Sequence, residues 1–321
     1  MNKSLIGLAL GFALAATGAA AQAWPTKPVT LVVPFPAGGG TDAYARPLAA
    51  KLNQLTGQSF IIDNKGGAGG TLGAGFAARA TADGYTFFIG AAHHAIAPAI
   101  YTKLEYDIEK DFVPVSLLAA PPQVIVVNPQ KVAARTLKDL VAYAKANPGK
   151  LNYGSAGAGT THHLAGELFK LQTGTDIAHI PYSGAGPALR DLVGGQVDMM
   201  FDGLGSSAAH IQGGRIIALA VAAPKRSASF PDVPTAAEAG VPGYAVSTWY
   251  AMFAPKGTPA VAVAEMQKQL NAAFASAEVK DIWGKNGSDI PAVDGAALGR
   301  LVNAEIKSWG DVVKKANVKL E

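Results

Sequence analysis

Residues 29–42 read VTLVVPFPAGGGTD, which predicts a buried strand, a glycine-rich turn and the start of a helix. A second junction of the same kind reads LNYGSAGAGTT at residues 151–161. Glycine lets a backbone approach a ligand closely, and the free N–H groups of a helix N-terminus favour an anion by ~0.3–1 kcal/mol, up to ~2 kcal/mol when partly buried. Because the two junctions lie far apart in the chain, they predict two lobes that face one another across a cleft.

The N-terminus has the features of a secretory signal peptide. A short basic start is followed by an apolar stretch over residues 5–16 and by Ala21-Gln22-Ala23, so we expect export to the periplasm with cleavage after Ala23. The alternative is an uncleaved anchor, but the apolar stretch is shorter than the ~18 residues of a membrane span, so no stable membrane insertion is expected. Cysteine is absent, which excludes disulfides, lipidated cysteine and cysteine nucleophiles.

The size and charge of the chain narrow its class further. The residues left after cleavage exceed what one core usually needs, which predicts two domains. Lysine and arginine total 27 against 23 aspartates and glutamates, and this small excess is scattered along the chain. No basic stripe for nucleic acid is present, whereas a mild positive field suits a small anion.

Strand-like and helical patterns alternate along the whole chain, as in α/β proteins with parallel sheets. A βαβαβ unit is predicted with strands at 29–33, 59–63 and 85–90. Pro121-Pro122, between apolar runs at 115–119 and 124–127, predicts the first crossing between lobes. The second unit is predicted to have helices at 137–146, 163–173 and 186–194, strands at 151–153, 177–181 and 197–201, and a strand at 216–222 that carries the return crossing.

The rest of the chain is predicted to complete the first lobe. It contains a strand at 249–254, a helix capped by Thr258 with Pro259 in its first position, and a C-terminal helix whose buried stripe includes Leu298, Val302, Ile306, Trp309 and Val313. The predicted domains are therefore 1–23 as signal peptide, 24–121 with 223–321 as lobe 1, and 122–222 as lobe 2.

Three catalytic or cofactor motifs are weak or absent. Gly38–Ala43 matches the dinucleotide pattern G-x-G-x-x-A and Asp63 follows it, but four residues separate Gly38 from the strand and Asp42 would repel a pyrophosphate. Tyr153 stands where the nucleophile elbow G-x-S-x-G needs glycine, and no phosphate loop occurs. No cofactor is therefore expected.

Histidines and one acid remain as candidate site residues. His93-His94 and His162-His163 are adjacent pairs that are predicted to lie in loops beside the cleft. There they can satisfy loop ends or contact a ligand, whereas their spacing does not suit a metal. Asp202 should emerge at the carboxyl end of a buried strand, where α/β sheets bind ligands, or it caps the next turn.

A series of motifs in order along the chain resembles the substrate-binding component of tripartite tricarboxylate transporters, the Bug-type receptors. The motifs are WPxKPV at 24–29, VVPFPAGG at 32–39, NYGSAG at 152–157, HLAGELF at 163–169, PY at 181–182, GQVD at 195–198, FD at 201–202, PDVPT at 231–235, EAG at 238–240 and APxGTP at 254–259.

The resemblance implies a type II periplasmic binding protein, with two Rossmann-like lobes that are joined by two crossover segments and close on a small carboxylate. It also implies an inner-membrane permease as partner, a monomer and no catalysis. With the candidates above, the expected ligand contacts are Phe35, Pro36, Ala37, Gly38, Gly39, Ala91, His93, Ser155, Gly157, Gly159, Thr160, Thr161, His162 and Asp202.

Two positions depart from the family pattern. Relatives often carry asparagine where this chain has Ala97, and smaller residues where it has Thr161-His162. Ala97, a small residue where relatives often place a polar one, and the two histidine pairs predict a larger pocket that accepts larger or aromatic acids alongside short aliphatic ones. The alternatives left open are an exported enzyme that uses His163 with Asp202, and a receptor that serves a signalling partner.

Overall fold

The computed structural model describes residues 24–316, without the side chains of residues 311, 312 and 314–316. The signal peptide predicted at residues 1–23 lies outside this part of the chain. The strands are β1 Val29–Val33, β2 Phe60–Asn64, β3 Thr86–Ala91, β4 Phe112–Ala119, β5 Gln123–Val127, β6 Asn152–Ser155, β7 Ala178–Pro181, β8 Met199–Gly203, β9 Ile217–Val221 and β10 Tyr250–Pro255.

Helices alternate with these strands for most of the chain. They are α1 Gly40–Thr56, α2 Thr71–Ala78, α3 His93–Ile100, α4 Leu137–Ala146, α5 Thr161–Thr173, α6 Ala185–Val193, α7 Leu204–Gln212, α8 Ala260–Ala275, α9 Ala277–Lys285 and α10 Gly295–Ala316.

The strands form two five-stranded sheets with the same topology. The first has the order β2-β1-β3-β10-β4 and the second the order β7-β6-β8-β5-β9. In each sheet the fourth position belongs to the strand that enters from the other lobe, and that strand runs antiparallel to its neighbours. This repeated order defines the type II arrangement of a periplasmic binding protein, as expected from the sequence.

Each sheet is covered by helices on both faces. Tyr44, Leu48 and Trp283 belong to one buried cluster on the first sheet, and Phe88 and Val302 to the cluster on its other face. The second sheet is likewise enclosed by two clusters. The alternation of apolar strands and helices that the sequence shows therefore produces two separate cores, one for each lobe.

Two segments connect the lobes side by side. The first runs through residues 120–122, as Pro121-Pro122 predicts, and Pro122 pairs in a bridge with Ser247 of the second segment. The Gln123 N–H donates to the Val246 carbonyl at 3.0 Å, and the Thr248 N–H donates to the Pro121 carbonyl at 3.3 Å. The return crossing therefore lies at residues 247–249 and not at strand 216–222.

The segment between β9 and the return crossing packs on the second sheet. Ala236, Val241 and Tyr244 join its buried cluster, and the Ala236 N–H donates to the Val221 carbonyl at 2.9 Å. The sequence assigned residues 223–321 to the first lobe, whereas burial places residues 230–246 with the second. We therefore propose that the second lobe extends from residue 123 to about residue 246.

Some helices, and the start of α8, differ from the sequence prediction. The helices α3, α7 and α9 were not predicted, and His93 and His162 lie in first helical turns and not in loops. Thr258 does not cap α8, because its hydroxyl donates to the Pro255 carbonyl at 2.7 Å and Pro259 holds the N-cap position.

Candidate functional site

A small cavity lies between the lobes, at the carboxyl ends of the central strands. Its volume is about 20 Å³, enough for about one water molecule. The lining residues are Phe35, Gly39, Gly40, Thr41, His93, Ala156, His162, Ala185, Thr248 and Tyr250. None of these is an aspartate, glutamate, lysine or arginine, so any charge recognised here has to be met by dipoles, hydrogen bonds or an imidazole.

Four helices begin at this cavity. Gly40 and Thr41 start α1, His93 starts α3, His162 lies in the first turn of α5, and Ala185 starts α6. None of the four helices has a side-chain cap. Their first N–H groups and their positive dipole ends, each about +0.5 elementary charge, therefore meet at the cavity.

Away from the cavity, α4, α9 and α10 are capped by side chains, whereas α2, α7 and α8 are not. Thr136 accepts from the Asp139 N–H at α4, Ser276 accepts from the Val279 N–H at α9, and Asp294 accepts from the Ala297 N–H at α10. The uncapped ends at the cavity are thus free to bind an anion instead.

Three buried polar atoms of the cleft lack a partner among the described residues. They are His93 Nε2, Thr161 Oγ1 and His162 Nδ1. An unpaired buried polar atom costs ~1–3 kcal/mol. His93 and His162 line the cavity, so a ligand there can complete the hydrogen bonding of their two atoms. Tyr106 Oη, His210 Nδ1 and Trp249 Nε1 also lack a partner among the described residues, but they lie away from the cavity lining.

His93 is held among other rings. Its imidazole meets the edge of Phe35 at 4.7 Å and lies 4.1 Å from the His94 ring. Burial, with the neighbouring imidazoles of His94 and His162, holds the pKa of His93 well below its usual range. His93 is therefore a neutral group of the site.

His162 is held by an acid behind it. Its Nε2 lies 3.0 Å from Asp202 Oδ1, and the hydroxyls of Ser206 and Ser207 donate to Asp202 Oδ2 at 2.8 and 2.6 Å. Asp202 is fully buried and does not line the cavity. Asp202 thus orients His162, and the imidazole of His162 separates the Asp202 carboxylate from the cleft.

Ser155 and Thr160 have hydroxyls that are engaged inside the second lobe. Ser155 Oγ lies 2.7 Å from His179 Nε2 and accepts from the Gly157 N–H at 3.1 Å. Thr160 Oγ1 donates to the Gly157 carbonyl at 2.7 Å. These bonds shape the turn before α5, and the interpretation of the two hydroxyls as ligand donors stays a prediction.

His163 and Asp202 do not form the pair that an exported enzyme was expected to use. His163 Nδ1 accepts from the Gly159 N–H at 3.1 Å, and its ring stacks on His179 at 4.1 Å. Asp202 pairs with His162 instead. The described residues contain no group of three histidine, aspartate or glutamate side chains that could hold a metal ion.

The other predicted site residues surround the cavity or lie behind it. Pro36 packs between the turns at Gly66 and Gly184, and the Ala37 carbonyl faces Gly186 across the cleft. The Gly38 N–H donates to Asp42 Oδ2 at 3.0 Å, so Asp42 ties the turn together.

Two predicted features belong to the core of the first lobe. Ala91 lies in a buried strand, and its N–H donates to His94 Nδ1 at 3.0 Å. Ala97 belongs to the same buried core cluster as Phe88 and Ala74 and does not line the cavity. The expected enlargement of the pocket at Ala97 therefore has no structural basis.

Several lining residues were missed by the sequence interpretation, namely Gly40, Thr41, Ala156, Ala185, Thr248 and Tyr250. A signal existed for Ala185, because residues 183–187 read SGAGP and form a third glycine-rich junction from strand to helix. The sequence gives no such signal for Tyr250, because Tyr250 reaches the cavity only through the position of β10 between β3 and β4 in the first sheet.

The lobes contact each other around the cavity. Tyr101 on the first lobe places its hydroxyl 3.1 Å from the Ala158 carbonyl on the second and 3.1 Å from the Ala68 carbonyl on its own. Phe35 forms a small apolar cluster with Ala156 and Ala185 of the second lobe. The structure is therefore a closed arrangement of the two lobes.

A larger groove of about 670 Å³ lies along the crossings, between Lys225–Ser229 and Gly287–Asp289. None of the unpaired buried atoms lines it. The small cavity with its convergent polar groups is the better candidate site.

The topology and the cleft together define a two-lobed solute receptor of the periplasmic binding protein class. The chain matches the family described as "Tripartite tricarboxylate transporter family receptor" over residues 44–318, and it belongs to that family. It is 36% identical to protein BugT of Bordetella pertussis, with all of each chain covered.

Solved structures agree with this assignment. Rpa4515 of R. palustris with adipate is 40% identical with a TM-score of 0.88, covering 92% of this chain and 99% of that one. MatC of Rhodopseudomonas palustris with bound malate is 37% identical with a TM-score of 0.85, covering 90% of this chain and 100% of that one. Within the part of the chain that the structure describes, no helix combines the length and apolarity of a membrane span.

Proposed function

We propose that this protein binds a small organic carboxylate between its lobes in the periplasm and delivers it to a tripartite tricarboxylate-type membrane permease. The observation that carries the proposal is the convergence of four uncapped helix N-termini on a cavity without charged lining residues. Carboxylate oxygens are acceptors that suit this set of N–H groups and hydroxyls.

The relatives support the chemical class of the ligand. Two similar proteins are solved with adipate and with malate, which are both small dicarboxylates. Delivery to a permease is supported by the family description, and export with cleavage after Ala23 by the signal-peptide pattern of residues 1–23.

The cavity of this closed arrangement holds about one water molecule, so a bound carboxylate keeps the lobes slightly farther apart than they are here. A ligand that touches both lobes still favours closure over the open arrangement. The α1 and α3 ends belong to the first lobe and the α5 and α6 ends to the second, so one carboxylate ligand can bridge them. Closure is then a hinge motion about the crossings at residues 120–122 and 247–249.

Calorimetry on the exported, cleaved protein tests the proposal. The panel contains short aliphatic mono-, di- and tricarboxylates, amino acids and aromatic acids, each with its neutral amide as a matched control. We expect at least one acid to bind while its amide does not, and to be recovered chemically unchanged. Native mass spectrometry of the protein as purified should show a retained small acid. If no acid of the panel binds and none is retained, the proposal fails.

A further inference from the structure

We propose that His162 determines ligand specificity in the cleft by taking up one proton together with the bound carboxylate, so that an imidazolium lies between Asp202 and the ligand. This inference rests on the proposed function and deepens it. It predicts that the receptor selects the ionised acid and couples its capture to a proton from the solvent.

The first step is the orientation of the imidazole. Asp202 receives hydrogen bonds from Ser206 and Ser207 on one oxygen and contacts His162 Nε2 with the other. A carboxylate can only accept hydrogen bonds, so each of these three neighbours has to donate to Asp202. His162 therefore carries its hydrogen on Nε2. Nδ1 is left buried and unpaired, in a residue that lines the cavity.

The second step concerns what Nδ1 can bond. In the neutral ring with hydrogen on Nε2, Nδ1 is an acceptor and cannot bond a carboxylate oxygen. In the imidazolium both nitrogens donate, so Nδ1 can donate to the ligand while Nε2 continues to donate to Asp202. A carboxylate at this position therefore requires the protonated ring.

The third step is the charge balance. The lining residues carry no formal charge, and Asp202 is buried directly behind His162. A bound carboxylate would place a second buried anion on the other side of the same ring, and two anions close together in a poorly solvated site repel. One proton on His162 replaces this repulsion by two attractive contacts.

The groups that surround His162 favour it as the site of protonation. They are Asp202 on β8, His93 on α3 and Tyr250 on β10, with His163 on its own helix and His210 beyond Asp202. Burial keeps the pKa of the Tyr250 hydroxyl well above its usual range, so it stays neutral. His93 has no acid among its described hydrogen-bond partners, and its pKa is well below the usual range.

The test is calorimetry with the tightest-binding acid of the panel, at pH 8, in two buffers with different ionisation enthalpies. We expect a net uptake approaching one proton per ligand, and a Kd that rises by up to about tenfold per pH unit above neutrality while the acid stays ionised. In the wild-type protein, the His162 ring protons observed by NMR should move toward their imidazolium positions when ligand is added.

Matched variants assign the proton. His162→Gln keeps a donor for Asp202 and should bind without proton uptake, with a flat pH profile and at least about tenfold more weakly at pH 6. His93→Gln removes the other imidazole of the cavity and should retain the uptake.

The outcomes separate the two proposals. If no acid binds, the proposed function fails. If an acid binds with no proton uptake and a Kd that is constant from pH 6 to pH 8, the inference is overturned. Loss of the uptake in His93→Gln, with retention in His162→Gln, also overturns it.

Discussion

Gly39 lies where the lobes come close to one another. A Cβ built on it would be 3.4 Å from Ala185 Cβ and 3.5 Å from the Gly186 nitrogen, which is ordinary contact across the cleft. The γ-methyl groups of valine extend beyond that point and would overlap α6. Its backbone has φ −91°, so the substitution needs no strained conformation in the first lobe.

We therefore expect Gly39→Val to fold with a thermal midpoint close to that of the wild type and to bind the ligand at least about a hundredfold more weakly, because closure is blocked. Calorimetry and thermal unfolding measure both quantities. Gly310→Val is the matched control, since a Cβ at Gly310 in α10 meets nothing within 4 Å. Normal affinity in folded Gly39→Val would show that the lobes do not close here.

Part of the site could be predicted from the sequence. Glycine-rich junctions after strands located Phe35, Gly39 and His162 at the cavity, because chain order and strand direction fix where a junction lies. The directions of the Ser155 and Thr160 hydroxyls could not be predicted, since they depend on His179 from the neighbouring strand and on a local carbonyl.

Among the helices, α4 shows how a capped element differs from those at the cleft. Thr136 Oγ1 accepts from the Asp139 N–H at 3.1 Å and donates to Asp139 Oδ2 at 2.7 Å. We expect Thr136→Ala to lower the free energy of unfolding by about 0.5–2 kcal/mol and to leave the Kd unchanged. Denaturant unfolding and calorimetry measure the two effects. Thr136→Ser, which keeps the hydroxyl, is the control, and a large change in Kd would contradict the separation of capping from binding.

Sequence periodicity predicted some helices well and missed others. The bounds of α4 were predicted at 137–146 as observed, because its cap and its buried positions Leu137, Leu140 and Ala144 give a clear pattern. Helix α3 has no polar face, since six of its eight residues are buried and Pro98 lies within it. A helix enclosed on nearly all sides gives no 3.6-residue alternation, so its pattern resembles a buried loop or strand.

At the scale of the whole molecule, only one of the two crossings could be predicted. Two consecutive prolines marked residues 121–122, whereas the return crossing follows a long segment without regular strands or helices. That segment stays on the second lobe because Val241 and Tyr244 bury there, a tertiary contact that no local pattern encodes.

The stability of both lobes should depend on pH through buried histidines. Burial lowers the pKa of His94 in the first lobe to about 4, and burial with the neighbouring His163 lowers the pKa of His179 in the second to about 4. Unfolded histidines titrate near ~6.5, so between these values the unfolded chain binds more protons. We expect the free energy of unfolding to fall as the pH is lowered from 7 to 5.

Denaturant unfolding of the ligand-free protein at pH 7, 6 and 5 measures this dependence. His179→Gln keeps a partner for the Ser155 hydroxyl and should make the decrease shallower. Constant or rising stability from pH 7 to pH 5 would show that these histidines are not held neutral.

Closure itself depends on a hydrogen bond between the lobes. The Tyr101 hydroxyl lies 3.1 Å from the Ala158 carbonyl, and its one hydrogen is shared with the Ala68 carbonyl on the first lobe. The second-lobe contact exists only in the closed arrangement, so removing the hydroxyl destabilises that arrangement without removing any group that lines the cavity. A bond of this kind contributes ~0.5–1.5 kcal/mol, and we expect Tyr101→Phe to raise the Kd by about two- to tenfold.

The increase should come mainly from faster dissociation, because the hydrogen bond forms after the ligand has entered. Stopped-flow kinetics measures the dissociation rate, and small-angle scattering with saturating ligand shows whether the variant still closes. Tyr143→Phe is the matched control, since Tyr143 lies exposed on α4 of the second lobe, away from the cleft. An unchanged dissociation rate in Tyr101→Phe would mean that the contacts of the ligand with the helix N-termini of both lobes are sufficient to hold the cleft closed.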